Sequence, residues 1–479
     1  MKDLTQEKLT RRRLLKNTVG TGAGAAAAGA LGGYALPSSA KASRQEAPLG
    51  AEAVPMAAGG NLPEQELRIG IFQSPHAEAV RRLAPRFTEL TGGNVTVQVD
   101  SSPTEVIDPR KLAMWQAGGD DWDVVWISNG GFLQIQGAGF TVPLSDYMKP
   151  EWIEPEVFNV GDWPQALLDT YSYEGQIHGL PFESSAYMQF VLTDLLEEHA
   201  GDQAKLPPLE GYSWEELIEI AQTVQESINS KGIGNLWALA YIFRGNNAGL
   251  MWEATVRSYG HEPFSKDAMP QFNSDLAIEA TQMLHDLVFR YQVASPGVIG
   301  YQYPELVEVV NNASAVLPFQ WNASAPTNED PERSKAAGQL AYAAFPYAKD
   351  AGPTVPRVRP NSHGLSVNPF SKNRDAALEF VFWYTSPEVA RDYVLNGGGN
   401  SGRQSLLTDP EIAANQSWSP AMSKSFEFYH PYPQTRHYDF LLRDVLSKNL
   451  GEAWTGGLSV KEALDLAQEE AVDFLEQNA

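Results

Sequence analysis

No cysteine occurs anywhere in the 479 residues. Its absence excludes a disulfide framework, a thiol nucleophile, a cysteine-ligated metal and a lipid anchor carried on an N-terminal cysteine. Basic residues are scarce as well, 35 against 59 acidic ones, for a formal net charge of −24. Nucleic acid and anionic membrane surfaces repel such a chain, so a neutral or cationic small partner is expected. Acidity also serves solubility alone, so it rules partners out without naming one. The zinc-type histidine pair, the nucleophile elbow and the phosphate-cradling glycine loop are all missing, and no internal repeat is apparent. The sequence therefore offers no cofactor, no metal site and no catalytic constellation.

What is present suits a folded protein of two domains. Hydrophobic residues make up 43% of the chain and tryptophan occurs 12 times, ample material for burial over a length too great for one core. Residues 1–42 stand apart as an export signal. Thr10-Arg11-Arg12-Arg13-Leu14-Leu15-Lys16 looks like a twin-arginine motif, followed by a Gly/Ala-rich run from Val19 to Leu36 and an A-x-A cleavage site at Ala40-Lys41-Ala42. A membrane-spanning helix is the poorer reading, because glycines between Gly20 and Gly33 break the run and Pro37 closes it. Removing this signal leaves 28 basic residues against 57 acidic ones. Export to the periplasm or beyond is expected, without a lipid anchor. Residues 43–65, rich in Ala, Pro and Gly, read as a flexible leader.

Folding is expected to start at the strand Leu67–Ile71. A helix over 77–90 puts Val80, Leu83, Ala84, Phe87 and Leu90 on one face, and Val95–Val99 alternates as a second strand. Strand, helix, strand in that order implies a parallel α/β unit. The third strand, around Val124–Ile127, follows three carboxylates, Asp120, Asp121 and Asp123. These read as a solvated turn rather than as a metal site. Ser128 and Asn129 after this strand, and Ser74 and His76 after the first, sit where open α/β sheets place ligands. Tyr173 to Leu192 reads as a hairpin turning at Glu174-Gly175, an X-Pro step at Leu180-Pro181, then an apolar strand interrupted by Glu183-Ser184-Ser185. Ser213 and Glu216 form a capping-box signature. Ala240–Phe243 looks like a strand, and 277–289 like a helix with Ile278, Met283, Leu284, Leu287 and Val288 inward.

Several of these stretches, in this order, resemble the sugar-binding type of bacterial extracellular solute-binding proteins of ABC transporters. The hinge pattern is met as Tyr173, Gly175, His178, Gly179, Leu180, Pro181 and Phe182. The close of one segment is met at Gly139 to Tyr147, a second-lobe helix opening at Ser213-Trp214-Glu215-Glu216-Leu217, and a strand with a Trp-bearing turn at Ala315–Asn322. The closest matches are Ala376-Ala377-Leu378-Glu379-Phe380 through Thr385-Ser386-Pro387-Glu388, the glycine-rich loop Gly397 to Ser405, and the closing helix from Ser459. Asn400-Ser401-Gly402 stands in that loop where a proline is commoner. The likeness spans roughly residues 67–475.

The resemblance implies an α/β fold of two lobes, each a sheet flanked by helices and joined by hinge crossings: 66–187 with 365–407, and 188–364 with 408–479. It implies a monomer that takes a small solute, a carbohydrate by preference, delivers it to the membrane permease subunits of an ABC importer, and does no chemistry on it. Site residues carried over by position are Ser74, His76, Ser128, Asn129 and Arg403 from the first lobe, Glu183 and Ser185 from the hinge, and Trp252, Trp321 and Tyr438 from the second. Trp126 and Trp383 sit in apolar elements and read as core. Trp252 serves either a site or the inward face of its helix, and Arg403 either a ligand or an acid in its own loop. Trp321, beside polar Gln320 and Asn322 at a strand end, is the strongest of the ten. Two rivals remain open: the same fold taking a polyamine or another small polar solute, and a secreted glycosidase using Glu183 and Asp439.

Overall fold

The computed structural model describes residues 62–135, 138–430, 433 and 435–478; the expected export motif, its cleavage site and the leader through residue 61 lie outside the described residues. In chain order the strands are β1 (Gln65–Phe72), β2 (Val95–Ser102), β3 (Val124–Ser128), β4 (Ser172–Tyr173), β5 (Gln176–Ile177), β6 (Leu180–Ser185), β7 (Tyr187–Leu192), β8 (Phe319–Trp321), β9 (Leu340–Ala344) and β10 (Asn361–Val367).

Two main sheets organise them, of order β2-β1-β3-β10-β6 and β8-β7-β9. In the first, β1 runs parallel to both β2 and β3, as the strand-helix-strand pattern requires, because the helix Pro75–Leu90 carries the chain back across the sheet. That helix buries Ala77, Ala79, Val80, Leu83, Ala84 and Phe87, while Leu90, expected inward, is 37% exposed at its frayed end. Strand β10 arrives from far along the chain and lies antiparallel to β3 and β6.

The hairpin β4–β5 turns where expected. Glu174 (φ 50°) and Gly175 (φ 76°) both occupy the left-handed region, the geometry that matches the twist of a two-residue hairpin. Beyond it, β6 belongs to the first sheet and β7 to the second, so the chain changes sheet across Ala186 alone. The Ala186 N–H is held by Asn322 Oδ1 at 2.7 Å. The return crossing runs through residues 345–360 and is anchored by Arg357. Its buried guanidinium donates to the carbonyls of Phe345 (2.6 Å), Pro353 (2.9 Å), Val355 (2.9 Å) and Glu210 (2.5 Å), which satisfies four of its five polar hydrogens.

Three local expectations change. Residues 240–243 form no regular strand; only Ala240 belongs to the stretch 237–240 that runs beside 315–319, with Phe319 N–H on Ala240 O at 2.9 Å, while Phe243 N–H goes to Tyr301 O at 3.2 Å. Asp123 is buried rather than solvated, accepting from Arg68 N–H (2.8 Å) and Ser371 Oγ (2.6 Å) and so pinning the start of β3. The helix Asp275–Phe289 buries Ala277, Ala280, Thr281, Leu284, Leu287 and Val288, so Ile278 and Met283 sit at the edge of its inner face. The capping box is as expected, with Glu216 N–H on Ser213 Oγ at 3.3 Å and Ser213 N–H on Glu216 Oε2 at 3.0 Å.

Candidate functional site

Register builds the first wall. In the antiparallel ladders, Ser185 stands opposite Asn361, Glu183 opposite His363, and His363 opposite Ser128; directly opposed residues share one face of a sheet. Phe72 and Trp126 flank this row, their rings 4.7 and 5.7 Å from that of His363. Trp126 Nε1–H donates to His363 Nδ1 at 3.2 Å, which places the proton of the neutral ring on Nε2, 3.9 Å from Glu183 Oε2. His76, the second residue of the helix Pro75–Leu90, lies against the same row, its ring 5.3 Å from that of His363. His76 Nδ1 is 2.7 Å from Gly398 O and 2.6 Å from the Tyr393 hydroxyl. A carbonyl only accepts, so Nδ1 carries the hydrogen and Nε2 keeps its lone pair.

Burial dominates the electrostatics here. It pushes the Glu183 carboxyl well above the usual carboxylate range, His363 well below the usual imidazole value, and His76 down to about 4. Glu183 is 2% exposed, and its Oε2 has no hydrogen-bond partner among the described residues.

The second wall is aromatic and apolar. Tyr187, opening β7, and Trp321, closing β8, are cross-strand partners whose rings meet at 4.6 Å and 54°. With Leu250, Met251 and Ala254 of the helix Ala248–Ser258, with Arg357, Val358 and Arg359 of the return crossing, and with Asn361 at the start of β10, they line a partly open cavity of about 30 Å³. Asn361 joins the two walls, since it lines the cavity and donates from Nδ2 to Ser185 Oγ at 3.0 Å. Arg359 donates to Asp439 Oδ1 at 3.0 Å.

Of the ten residues singled out from sequence, His76, Ser128, Glu183 and Ser185 meet on the first wall, and Trp321 stands on the second. Ser128 Oγ accepts from Gly131 N–H at 3.0 Å, starting the helix Asn129–Ile135. Asn129 is buried and donates to Pro360 O at 2.5 Å, tying the end of β3 to the returning chain. Ser74 donates to Phe72 O at 3.1 Å within its own turn. The other three face elsewhere. Trp252 is wholly buried, donating to Thr281 Oγ1 at 2.7 Å and packing edge-on against Phe272. Arg403 is buried too: it donates to Thr385 O (2.9 Å) and Asn159 O (3.1 Å), pairs with Asp162 at 3.4 Å, and stacks 3.7 Å over Trp163. Tyr438 is buried against Phe264, with its hydroxyl on Glu253. Asp439, the offered catalytic partner of Glu183, is held by Arg359.

Sequence reasoning missed Tyr187, Arg359, Asn361 and His363; Trp126, read as core, is 2% exposed. The one available signal was alternation in β10, where Asn361 and His363 are two apart and therefore share a face.

Comparison with known proteins adds the family. Residues 73–391 match the family profile described as "Bacterial extracellular solute-binding protein". A protein of Sinorhizobium fredii described as a "Probable amino-acid ABC transporter periplasmic-binding protein" is 24% identical over 370 residues, covering 76% of this chain and 80% of that protein. Among solved structures, a solute-binding protein of Agrobacterium radiobacter K84 in complex with ribitol superposes with a TM-score of 0.70 at 22% identity, over 86% of this chain and 99% of that one. The maltose-bound MalE3 of T. maritima gives 0.70 at 19% identity, with the same coverage. The fold likeness is to two-lobed periplasmic binding proteins.

Proposed function

This chain belongs to the bacterial extracellular solute-binding proteins, and from that premise we propose that it captures a sugar or polyol between its two sheets by hinge closure and presents it to the permease of an ABC importer. The observation that carries the reading is the Tyr187–Trp321 corner facing Asn361 and Arg359 across one cavity. Sugar and polyol C–H surfaces lie on aromatic rings, while their hydroxyls need mixed donors and acceptors. Covering about 100 Å² of apolar surface contributes roughly 2.5 kcal/mol. Micromolar binding needs roughly 8 kcal/mol, within reach of two rings plus paired hydroxyls after ordering costs. The cavity's room, about 30 Å³, is far below the roughly 150 Å³ of a cavity that takes a six-membered ring. A solute therefore enters only as the walls part, and it favours closure by contacting both of them.

The relatives support the choice of solute class without fixing it: two superposable proteins are described with ribitol and maltose, whereas the Sinorhizobium relative is described as an amino-acid binder. Against a polyamine, the described cavity lining includes two arginines and no carboxylate. The reading extends to the lobe division, with crossings at Ala186 and ahead of Asn361, and to folded export directed by Arg11–Arg13. Calorimetry of the chain from Ser43, screened against sugars, polyols, amino acids and polyamines, tests it. Saturable heat with a sugar or polyol is expected; heat only with an amino acid or polyamine moves the solute class.

A further inference from the structure

We propose that His76, Glu183 and His363 form a binding site for one divalent ion of the zinc class, set in the first wall beside the cavity. Each offers one ligand atom, a ring nitrogen from either histidine and an oxygen from Glu183; the three atoms come from three separate segments and lie within 4.8 Å of one another, with His363 Nε2 3.9 Å from Glu183 Oε2. Two imidazoles and a carboxylate, with a fourth position left open, are a recurrent donor set for zinc. Bonds of about 2 Å to a tetrahedral ion require the three to draw in by roughly an ångström.

Three independent features favour an ion over a merely packed cluster. His76 is oriented as a ligand: its Nδ1–H is spent on the Gly398 carbonyl at 2.7 Å, the outer contact that fixes a metal-binding tautomer. Glu183 Oε2 is buried and has no hydrogen-bond partner among the described residues. An isolated carboxylate there is costly, and a cation offsets that cost. The surroundings are aromatic, with Phe72, Trp126, Phe182 and Tyr393 around the three groups, so a bound charge is less screened than in water.

His363 joins last. Its Nδ1 accepts the Trp126 N–H, so a neutral ring must move its proton to Nδ1 and the indole must turn aside before Nε2 ligates. His76 needs no such exchange. One carboxylate on a doubly charged ion leaves the site net positive, so the open position suits an oxygen donor. If the solute lies over this wall, as proposed above, its hydroxyls are the nearest source.

The test needs no solute. The chain from Ser43, stripped with chelator and dialysed, is titrated with ZnCl₂ in a calorimeter and with CoCl₂ in a spectrophotometer. One equivalent of each is expected, with the intense visible bands of a low-symmetry, four-coordinate Co²⁺. Glu183→Gln removes the charge and keeps the shape, and His76→Ala removes the preset ligand. Each is expected to weaken binding at least tenfold while the circular dichroism spectrum stays native. Should one variant fail to fold, the other decides, together with His363→Ala. No uptake by the native chain overturns the proposal, as does uptake left unchanged by the variants. A chain that binds a polyol but no zinc sinks this site and leaves the solute reading standing; one that binds zinc but no solute does the reverse.

Discussion

Trp321 and Trp252 bring the same side chain to opposite duties. Trp321 is partly exposed on the cavity against Tyr187, so Trp321→Ala is expected to raise the solute Kd on the order of fifty-fold, the loss of roughly 2.5 kcal/mol, with little change in Tm. Calorimetry beside a thermal melt checks both. Trp252 is wholly buried, so Trp252→Ala is expected to cost about 3–5 kcal/mol of stability in denaturant titration. Arg403 also stabilises: Arg403→Met leaves buried Asp162 without its cation, held by Ser405 alone, with a loss of about 3 kcal/mol. The sequence marked Trp321 because polar neighbours at a strand end expose one side of it. It left Trp252 ambiguous because its helix has almost no exposed face, every residue except Leu250 being buried in Ala248–Ser258 where the side chain is described. His363 and Asn361 were hidden for another reason. What they meet is set by pairing with a strand some 176 residues earlier, a distance over which local pattern carries no information.

At the scale of elements, the legible parts were those that local chemistry decides. The β4–β5 turn follows from two adjacent residues, and the capping box from a serine three places ahead of a glutamate. The antiparallel insertion of β10 between β3 and β6 followed from nothing local. The capping box carries a pH signature. Hydrogen bonds from the Ser213 backbone N–H and then its hydroxyl hold the Glu216 carboxyl below the usual glutamate value. A depressed carboxyl stabilises fully above its unfolded value near about 4.3 and loses that contribution as pH falls through its lower folded value. The stability gap between Glu216→Ala and the native chain, read from melts between pH 7 and pH 3, is therefore expected to narrow toward acid. A second test concerns the helix Asn129–Ile135. A Cβ on Gly130 would overlap Asp439 Oδ2, whose carboxylate is held by Arg359. Gly130→Ala must push these segments apart, and a weaker solute affinity with a near-native fold is expected by calorimetry.

For the whole molecule, hinge closure predicts a smaller radius of gyration in X-ray scattering once solute is added, and no change with a solute that leaves tryptophan fluorescence unaltered. Incubation with an oligosaccharide is expected to give a saturable fluorescence change and no cleavage products; product formation would favour the glycosidase reading. That the fold has two lobes was legible, because chain length and the family resemblance suffice for it. Which faces look at each other was not, since that depends on Asn361, Arg357 and Asn322 fixing the crossings.

The passage from β6 to β7 through one alanine, clamped by Asn322, has a mechanical corollary. Under the proposed hinge closure, a link with so little slack favours rotation and twist over sliding of the sheets. Displacement then scales with distance from the pivot, so Ser185 and Asn361 beside it stay nearly stationary while outlying loops sweep the largest arcs. An incoming molecule would find its first handholds already in place near the axle, and the jaws would finish the grip from outside.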